Sequence, residues 1–509
     1  MPGKVNMQWS EIEQGRSEIF LHLICRPAFL LNRCDQGTAV TEWNLESLHV
    51  GDKVKKPAGL FAPNPKPIEQ LSYLPFLIFN FSFLLMDSVF HPLSWSVDSN
   101  IYEVNLRQYT AEGSFRAFEA HLPRLRHMGI EILWFMPITP ISGKGRLGSL
   151  GSYYACSDYL SVNPEFGSLE EFKSLVQEAH RLGFYVLIDW VANHTGWDHC
   201  WTTGHPEFYR RNADGHFFDA HGWQDVIDLN YDLPLLRETM IRCMKFWVDS
   251  CDIDGFRCDM AMLVPLDFWK EARTTLDQDK PLFWLAECED QTYHTVFDAS
   301  YTWKFLHMME SYWKKTAGMD DLYQVLQFYS DQFPPHAMRA FFTSNHDENS
   351  HSGSEYERLG DAAIPFAVFC CTWNGIPVIY SGQELPNTKR LKFFDKDEID
   401  WKMPCALQDF YKTLLHLRKS NPALRSGDPA VSSIILPNSS NQQVMTFLRR
   451  NQSSEVLVIL NLSDAEISLT IPTADVSGSF INIFNMESLN FDPDGAIALK
   501  PWDYRVYVK

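Results

Sequence analysis

The sequence predicts an α/β protein: a (β/α)8 TIM barrel with an insertion after its third strand and a C-terminal antiparallel β-sandwich. Three observations predict it. From Ile101 to about residue 424, short apolar runs alternate with amphipathic helical patterns, the signature of βαβ units feeding one parallel sheet. One connection, about 193–232, is far longer than an ordinary βα loop and rich in Gly, His, Asp and aromatics. After about Arg425 the helical patterns stop, and short β-rich runs separated by Ser, Asn, Asp and Gly occupy residues 425–509.

Taken in order, residues 1–95 form an extension unlike the rest, with scattered cysteines and a Pro-rich stretch from Pro57 to Pro67. Its apolar run, Leu74–Met86, is shorter than the ~20 residues that cross a bilayer, so no membrane span is expected. The run has the length of a secretory apolar core but begins far from the N-terminus and has no basic cluster beside it. The expectation is a poorly ordered, dispensable extension, with Met86 as an alternative start and a secretory or anchoring segment as the other reading. The barrel, 96–424, draws its strands from Ile101–Asn105, Ile130–Met136, Phe184–Asp189, Ile253–Cys258, Leu282–Glu287, Phe341–Ser344 and Ile376–Tyr380. A weaker eighth lies near Tyr301–Leu306. Between strands, Ser168–Leu182 reads as a helix: Ser168 and Glu171 make a capping box, and Phe172, Leu175, Ala179 and Leu182 share a face. In the last part, Val431–Leu436, Val444–Arg449, Val456–Leu462, Ile467–Ile471 and Arg505–Val508 are the candidate strands.

Composition narrows the function classes. A chain of 509 residues, 45% hydrophobic and 21% charged, can bury large cores without disulfides or metals. Its net charge of −20 repels polyphosphate, which argues against nucleic acid and anionic membranes as partners. Eleven cysteines cannot all pair; Cys156, Cys243 and Cys258 sit alone, Cys370 and Cys371 are adjacent, and none has zinc-ligand spacing. Reduced thiols and a cytoplasmic location are expected, a secreted protein with partial disulfides being the alternative. The 16 tryptophans exceed what a core ordinarily needs and suit sugar stacking, although core packing accounts for most of them.

In a parallel barrel, polar residues at strand C-termini converge on one mouth. Four segments stand there: Leu187 to His194 after the third strand, Gly255 to Asp259 on the fourth, Trp284 to Glu287 on the fifth and Thr343 to Asp347 on the seventh. Singly, each acid would equally serve as a helix cap, and Arg257 with Asp259 would equally form a structural ion pair on one strand face. As a set, in this order on successive strands, they resemble the four signature regions of the α-amylase family, glycoside hydrolase family 13. Gly151-Ser152-Tyr153-Tyr154 leading to Asp158-Tyr159, Asp228-Leu229-Asn230, and Gly375-Ile376-Pro377 leading to Gly382-Gln383-Glu384 extend the resemblance, which runs from about Ile101 to Lys509.

That resemblance implies a retaining hydrolase of α-1,4-linked glucans or maltooligosaccharides, with Asp259 as nucleophile, Glu287 as general acid/base and Asp347 as transition-state stabiliser. It implies hydroxyl-binding roles for His194 and His346 and a sugar-stacking role for Tyr154. Arg257 is expected to keep Asp259 ionised, and burial behind an apolar strand to raise the pKa of Glu287. Asn193 and Asp228 match positions that bind structural calcium in many members; a hydrogen-bonded strut between barrel and insertion is the other reading. No organic cofactor is implied. One departure stands out: where many endo-acting members carry Lys-His just after the nucleophile, this chain has Met262 and Leu263, which argues against endo-cleavage of long starch. A transglycosylase of the same family, and a non-catalytic amylase-like interaction protein, remain as alternatives.

Overall fold

Runs of apolar residues with no polar alternation form strands covered on both faces, and such runs supply the barrel here. The computed structural model describes residues 92–472, 475–491 and 495–509. Its barrel strands are β1 (Ile101–Val104), β2 (Ile132–Phe135), β3 (Tyr185–Trp190), β6 (Gly255–Cys258), β7 (Phe283–Ala286), β8 (Ala299–Tyr301), β9 (Met338–Phe341) and β10 (Ile376–Tyr380). All pair in parallel, and β10 closes on β1 with Ile101 opposite Val378. Between β3 and β6, the strands β4 (His194–Gly196) and β5 (Val226–Asp228) pair antiparallel as a small ribbon within the insertion.

The helix Leu169–Arg181 has the expected capping box between Ser168 and Glu171, and its buried face carries Phe172, Leu175, Val176 and Ala179. Two strand expectations need correction. The apolar residues around Tyr301–Leu306 belong mainly to a helix, Trp303–Trp313, whose buried residues Phe305, Leu306, Met309 and Tyr312 follow helical spacing; only Tyr301 of that stretch is in β8. The strand placed at Phe341–Ser344 lies earlier, at Met338–Phe341, where Arg339 disguised it. Arg339 is buried because it donates to Ser300 Oγ and the Tyr301 carbonyl and lies over the Phe333 ring at 3.6 Å.

Leu93 and Trp95, which the sequence reading placed with the extension, pack on the barrel: the Trp95 ring stacks on Tyr185 at 3.7 Å. The rest of that extension, with the Leu74–Met86 run, lies outside the described residues. No helix among the described residues is long and apolar enough to cross a membrane.

The last helix, Gln408–Ser420, is followed only by a short turn and by strands β11 (Ser432–Ile435), β12 (Val444–Arg450), β13 (Glu455–Asn461), β14 (Ile467–Leu469), β15 (Gly478–Asn482), β16 (Ser488–Phe491), β17 (Ile497–Leu499) and β18 (Tyr504–Val508). Six of them form one antiparallel sheet, ordered β11-β12-β13-β18-β15-β16, while β14 pairs with β17. Period-two alternation divides the sheet's side chains. Val444, Leu448, Leu457 and Ile459 join a core with Leu469 and Leu499 of the small ribbon, whereas Met445, Phe447, Val456 and Val458 pack into the barrel's core. Strands β15 and β16 were not legible in the sequence, because Gly478, Ser479, Ser488 and Asn490 take up their solvent side, and β17 is only three residues long.

Candidate active site

Parallel pairing sets the height at which each strand delivers its side chains. Cys258 pairs with Ala286, so Asp259 and Glu287 leave adjacent strands one step beyond the same rung. The Glu287 N–H donates to the Cys258 carbonyl (3.0 Å) and the Asp259 N–H to the Trp190 carbonyl (3.0 Å), extending the ladder to both acids. At Gly255 the strands approach so closely that a Cβ would lie 1.9 Å from the Phe283 carbonyl oxygen, so only glycine permits this pairing.

Arg257, fully buried two residues before Asp259 on the same strand face, is the hub. Its Nη1 lies 2.8 Å from Asp189 Oδ1 and 3.0 Å from Asp259 Oδ1. Its Nη2 lies 2.8 Å from Glu287 Oε2, near enough for an ion pair but not aligned as a hydrogen bond. The rings of Trp134 and Tyr154 surround the guanidinium at 5.0 and 5.8 Å.

Three carboxylates share this one cation, so its field is divided. Burial, then the charge of Glu287, pushes Asp259 well above the usual carboxylate range, and Arg257 only partly offsets this. The pull expected of Arg257 on Asp259 is present, but burial and Glu287 outweigh it. Burial also raises Asp189 to about 6 against the pull of Arg257. Glu287 does not sit against apolar groups alone: its Oε2 also accepts the Met260 N–H at 2.8 Å. Met260 reaches that position in the left-handed region, φ 40° and ψ 48°, at a strain of roughly 1–2 kcal/mol.

On the other side of the mouth, His346 is held between two acids. Its Nδ1 pairs with Glu103, and its Nε2 lies 2.6 Å from Tyr154 Oη and 3.3 Å from Asp347 Oδ2. Burial disfavours the imidazolium, but Asp347 and Glu103 outweigh it and hold the His346 proton well above the usual histidine range. Burial likewise works against the Asp347 anion, yet His346 brings its pKa down to about 2. The Tyr154 ring stacks on His346 at 5.4 Å and lies nearly parallel to Phe393 at 6.2 Å.

Of the residues singled out from the sequence, Asp259, Glu287, Asp347, Arg257, His346 and Tyr154 come together here. His194 lies on the insertion ribbon, where its Nδ1 is 3.2 Å from the Asn193 amide nitrogen and its ring meets Trp223 at 5.3 Å. Burial, then nearby His221, depresses it to about 3, so its ring is neutral. Asn193 accepts the Leu229 N–H at its carbonyl (3.0 Å), which ties the end of β3 to the ribbon. Asp228 gathers instead with Asp219 and His221, whose donor atoms and its own lie within 4.8 Å of one another. One oxygen each of Asp219 and Asp228 is buried without a hydrogen-bond partner, while their other oxygens accept backbone N–H groups. The two carboxylates fit a cation that prefers oxygen ligands, and the His221 nitrogen is the one donor of the three that does not.

Sequence reasoning counted Asp189 among the strand-end acids without giving it a role, and passed over Glu103, Trp134 and Phe393, and also Asp219 and His221 of the ribbon cluster. Glu103 carried a usable signal, a lone acid within an apolar barrel strand. Phe393, in the long loop after β10, carried none.

The sequence model for the α-amylase catalytic domain matches residues 94–221 and 208–409. An α-amylase, MalA, of Haloarcula japonica is 25% identical over 398 residues, covering 74% of this chain and 57% of its own length. The chain thus spans little more than half of that relative. An α-amylase from Lactobacillus plantarum superposes with a TM-score of 0.74 at 28% identity, covering 82% of this chain and 100% of its own. The maltogenic α-amylase AmyB from Thermotoga neapolitana gives 0.75 at 28%, covering 81% and 98%.

Proposed function

The chain belongs to the α-amylase family, and from that premise we propose that it is a retaining glycoside hydrolase acting on α-1,4-linked glucans or maltooligosaccharides. The observation that carries the proposal is the shared Arg257, which contacts Asp259 and Glu287 where they leave adjacent strands at equal height. Retention needs two carboxyl groups flanking one bond, one to attack the anomeric carbon and one to protonate the leaving oxygen. Asp259 is the nucleophile and Glu287 the acid/base. Asp347, an anion down to about pH 2, offers a fixed negative charge to an oxocarbenium-like transition state. Tyr154 and His346 form a ring platform for the sugar at the cleaved bond, and His194 offers a neutral imidazole to its hydroxyls.

Water or a second sugar can take the glycosyl group from the same covalent intermediate, so transfer shares this machinery. Asp219 and Asp228 would hold calcium, with Asn193 joining their ribbon to β3; calcium would brace the ribbon that carries His194 and takes no part in bond cleavage. The nine described cysteines are all free and eight of them buried, which supports a reducing, cytoplasmic setting. Proton NMR of the first turnovers on maltotetraose tests the reading: the α-anomer is expected first, and initial release of the β-anomer would overturn it. Products longer than the substrate in the same run identify transfer.

A further inference from the structure

Glu103 stands on β1 with its side chain fully buried, between Trp134 of β2 and Tyr380 of β10. Burying an acid there is costly unless a charge answers it. Its Oε1 accepts twice from His346, from the backbone N–H at 3.3 Å and from ring Nδ1. Its Oε2 has no hydrogen-bond partner among the described residues. Arg257 also acts on Glu103, but more weakly than His346 does. Tyr301 and Tyr380 feel its charge and keep their protons, because burial raises both well above the usual tyrosine range. The charge of Glu103 is thus answered chiefly by His346.

The direction of the hydrogen bonds around the ring shows where its protons are. Tyr154 Oη has one proton and donates it to Asp189 Oδ2 at 3.1 Å. Asp189 accepts at both oxygens, since Oδ2 also takes the Trp134 Nε1–H (3.2 Å) and Oδ1 the Arg257 Nη1–H (2.8 Å). Tyr154 Oη therefore accepts from His346 Nε2, 2.6 Å away. Nδ1 faces the Glu103 carboxylate and carries a proton as well. With both nitrogens donating, the ring is an imidazolium. Asp347 Oδ2 lies 3.3 Å from the same Nε2. The rings of Trp134 and Phe393, at 6.0 and 6.2 Å, bring no charge, and His351 and Arg257 act on Asp347 less than His346 does. A neutral ring with its proton on Nδ1 would instead turn a lone pair toward both Tyr154 and Asp347. A glutamine at position 103 would accept the Nδ1–H equally well, so what the carboxylate adds is its charge.

We propose that Glu103 is a positioning residue for the glycosidase reaction: its carboxylate is the counter-charge that keeps both ring nitrogens of His346 protonated, so that Nε2 faces Asp347 as a donor and holds that anion in place for the transition state. The inference rests on the glycosidase reading above. The test uses the full chain labelled with ¹⁵N-histidine, the His346 ring signals being assigned by their loss in His346→Asn. At about pH 8, where a free histidine is neutral, both wild-type ring nitrogens are expected to be protonated, and a neutral ring would overturn the proposal. In Glu103→Gln the ring should lose its Nε2 proton as pH rises. The kcat deficit of that variant on maltotetraose should therefore grow, from within about threefold of wild type at about pH 5.5 to about tenfold or more at about pH 8. A deficit equal at all pH values would mark a merely structural role and overturn the proposal, as would an unchanged kcat. If Glu103→Gln does not fold, the wild-type ring signals decide. Those signals need no substrate, so they fail separately from the glycosidase reading, which wild-type turnover on maltotetraose tests.

Discussion

At the mouth of the barrel one guanidinium serves three carboxylates, whereas at its base two buried guanidiniums, those of Arg418 and Arg449, serve none among the described residues. Arg257 touches Asp189, Asp259 and Glu287, and burial with the surplus of acids around it raises Asp259 and Asp189 above the usual carboxylate range. Arg418 instead spends its donors on backbone carbonyls and a serine of the segments that join barrel and sheet. The same buried residue type therefore does two things. Paired with ionisable partners it creates a site whose charge can shift; paired with fixed dipoles it fastens two layers of the fold. The first arrangement suits proton transfer, and the second has nothing that could move a proton.

The sharpest way to break this contrast is to remove the acids at the mouth. Asp259→Ala or Glu287→Gln is expected to lower kcat by about 10⁴-fold or more while the Tm stays near wild type, and the double change should cost little more than either single one. Steady-state kinetics on maltotetraose with parallel calorimetry checks it; near wild-type turnover in either single variant would remove the assignment.

Exchanging the arginines compares the two ends directly. Arg257→Ala leaves three buried acids around no cation and is expected to destabilise by about 3–5 kcal/mol and abolish activity. Arg418→Met strands carbonyls rather than charges and should cost about 1–3 kcal/mol with kcat/KM unchanged. Urea unfolding of both variants reads the difference, and equal losses of activity would dissolve the distinction between the ends.

A subtler handle is Asp189, whose pKa of about 6 stands above the ordinary ~3.9. A carboxyl raised on folding adds stability that is complete below the unfolded value and is lost as pH climbs through the folded one. Arg257, Tyr154, Trp134, His346 and Glu287 all face or act on this group. Asp189→Asn cannot ionise, so the fall in unfolding free energy between about pH 4 and 6 should be shallower than in wild type. Denaturant titrations across that window measure the slope, and parallel curves for the two proteins would show that Asp189 keeps its charge.

The smallest effect concerns the loop beyond the nucleophile. Met262 is exposed there and, like Leu263, offers no side-chain donor to a sugar hydroxyl comparable to Lys or His. Short maltooligosaccharides should therefore compete well against soluble starch per cleavable bond. Met262→Lys with Leu263→His should shift that ratio toward the polymer by roughly 2–10-fold per contact regained, on the scale of about 0.5–1.5 kcal/mol per hydrogen bond. A wild-type preference for starch would show that other loops grip the chain.

Much of this was written locally. Continuous apolar runs announced most barrel strands, Ser168 and Glu171 announced a helix start, and the four acid-bearing segments announced the mouth, because periodicity and capping act over a few residues. The boundaries of β8 and β9 were hidden where Ser300 and Arg339 put polar side chains inside the barrel and satisfied them there. Tertiary structure alone decided that Arg257 is shared three ways, that Glu103 reaches His346 from 243 positions away, and that Phe393 lies parallel to Tyr154. Charge state depends on distance and burial, and those link residues that the chain keeps far apart, so no local pattern could carry them.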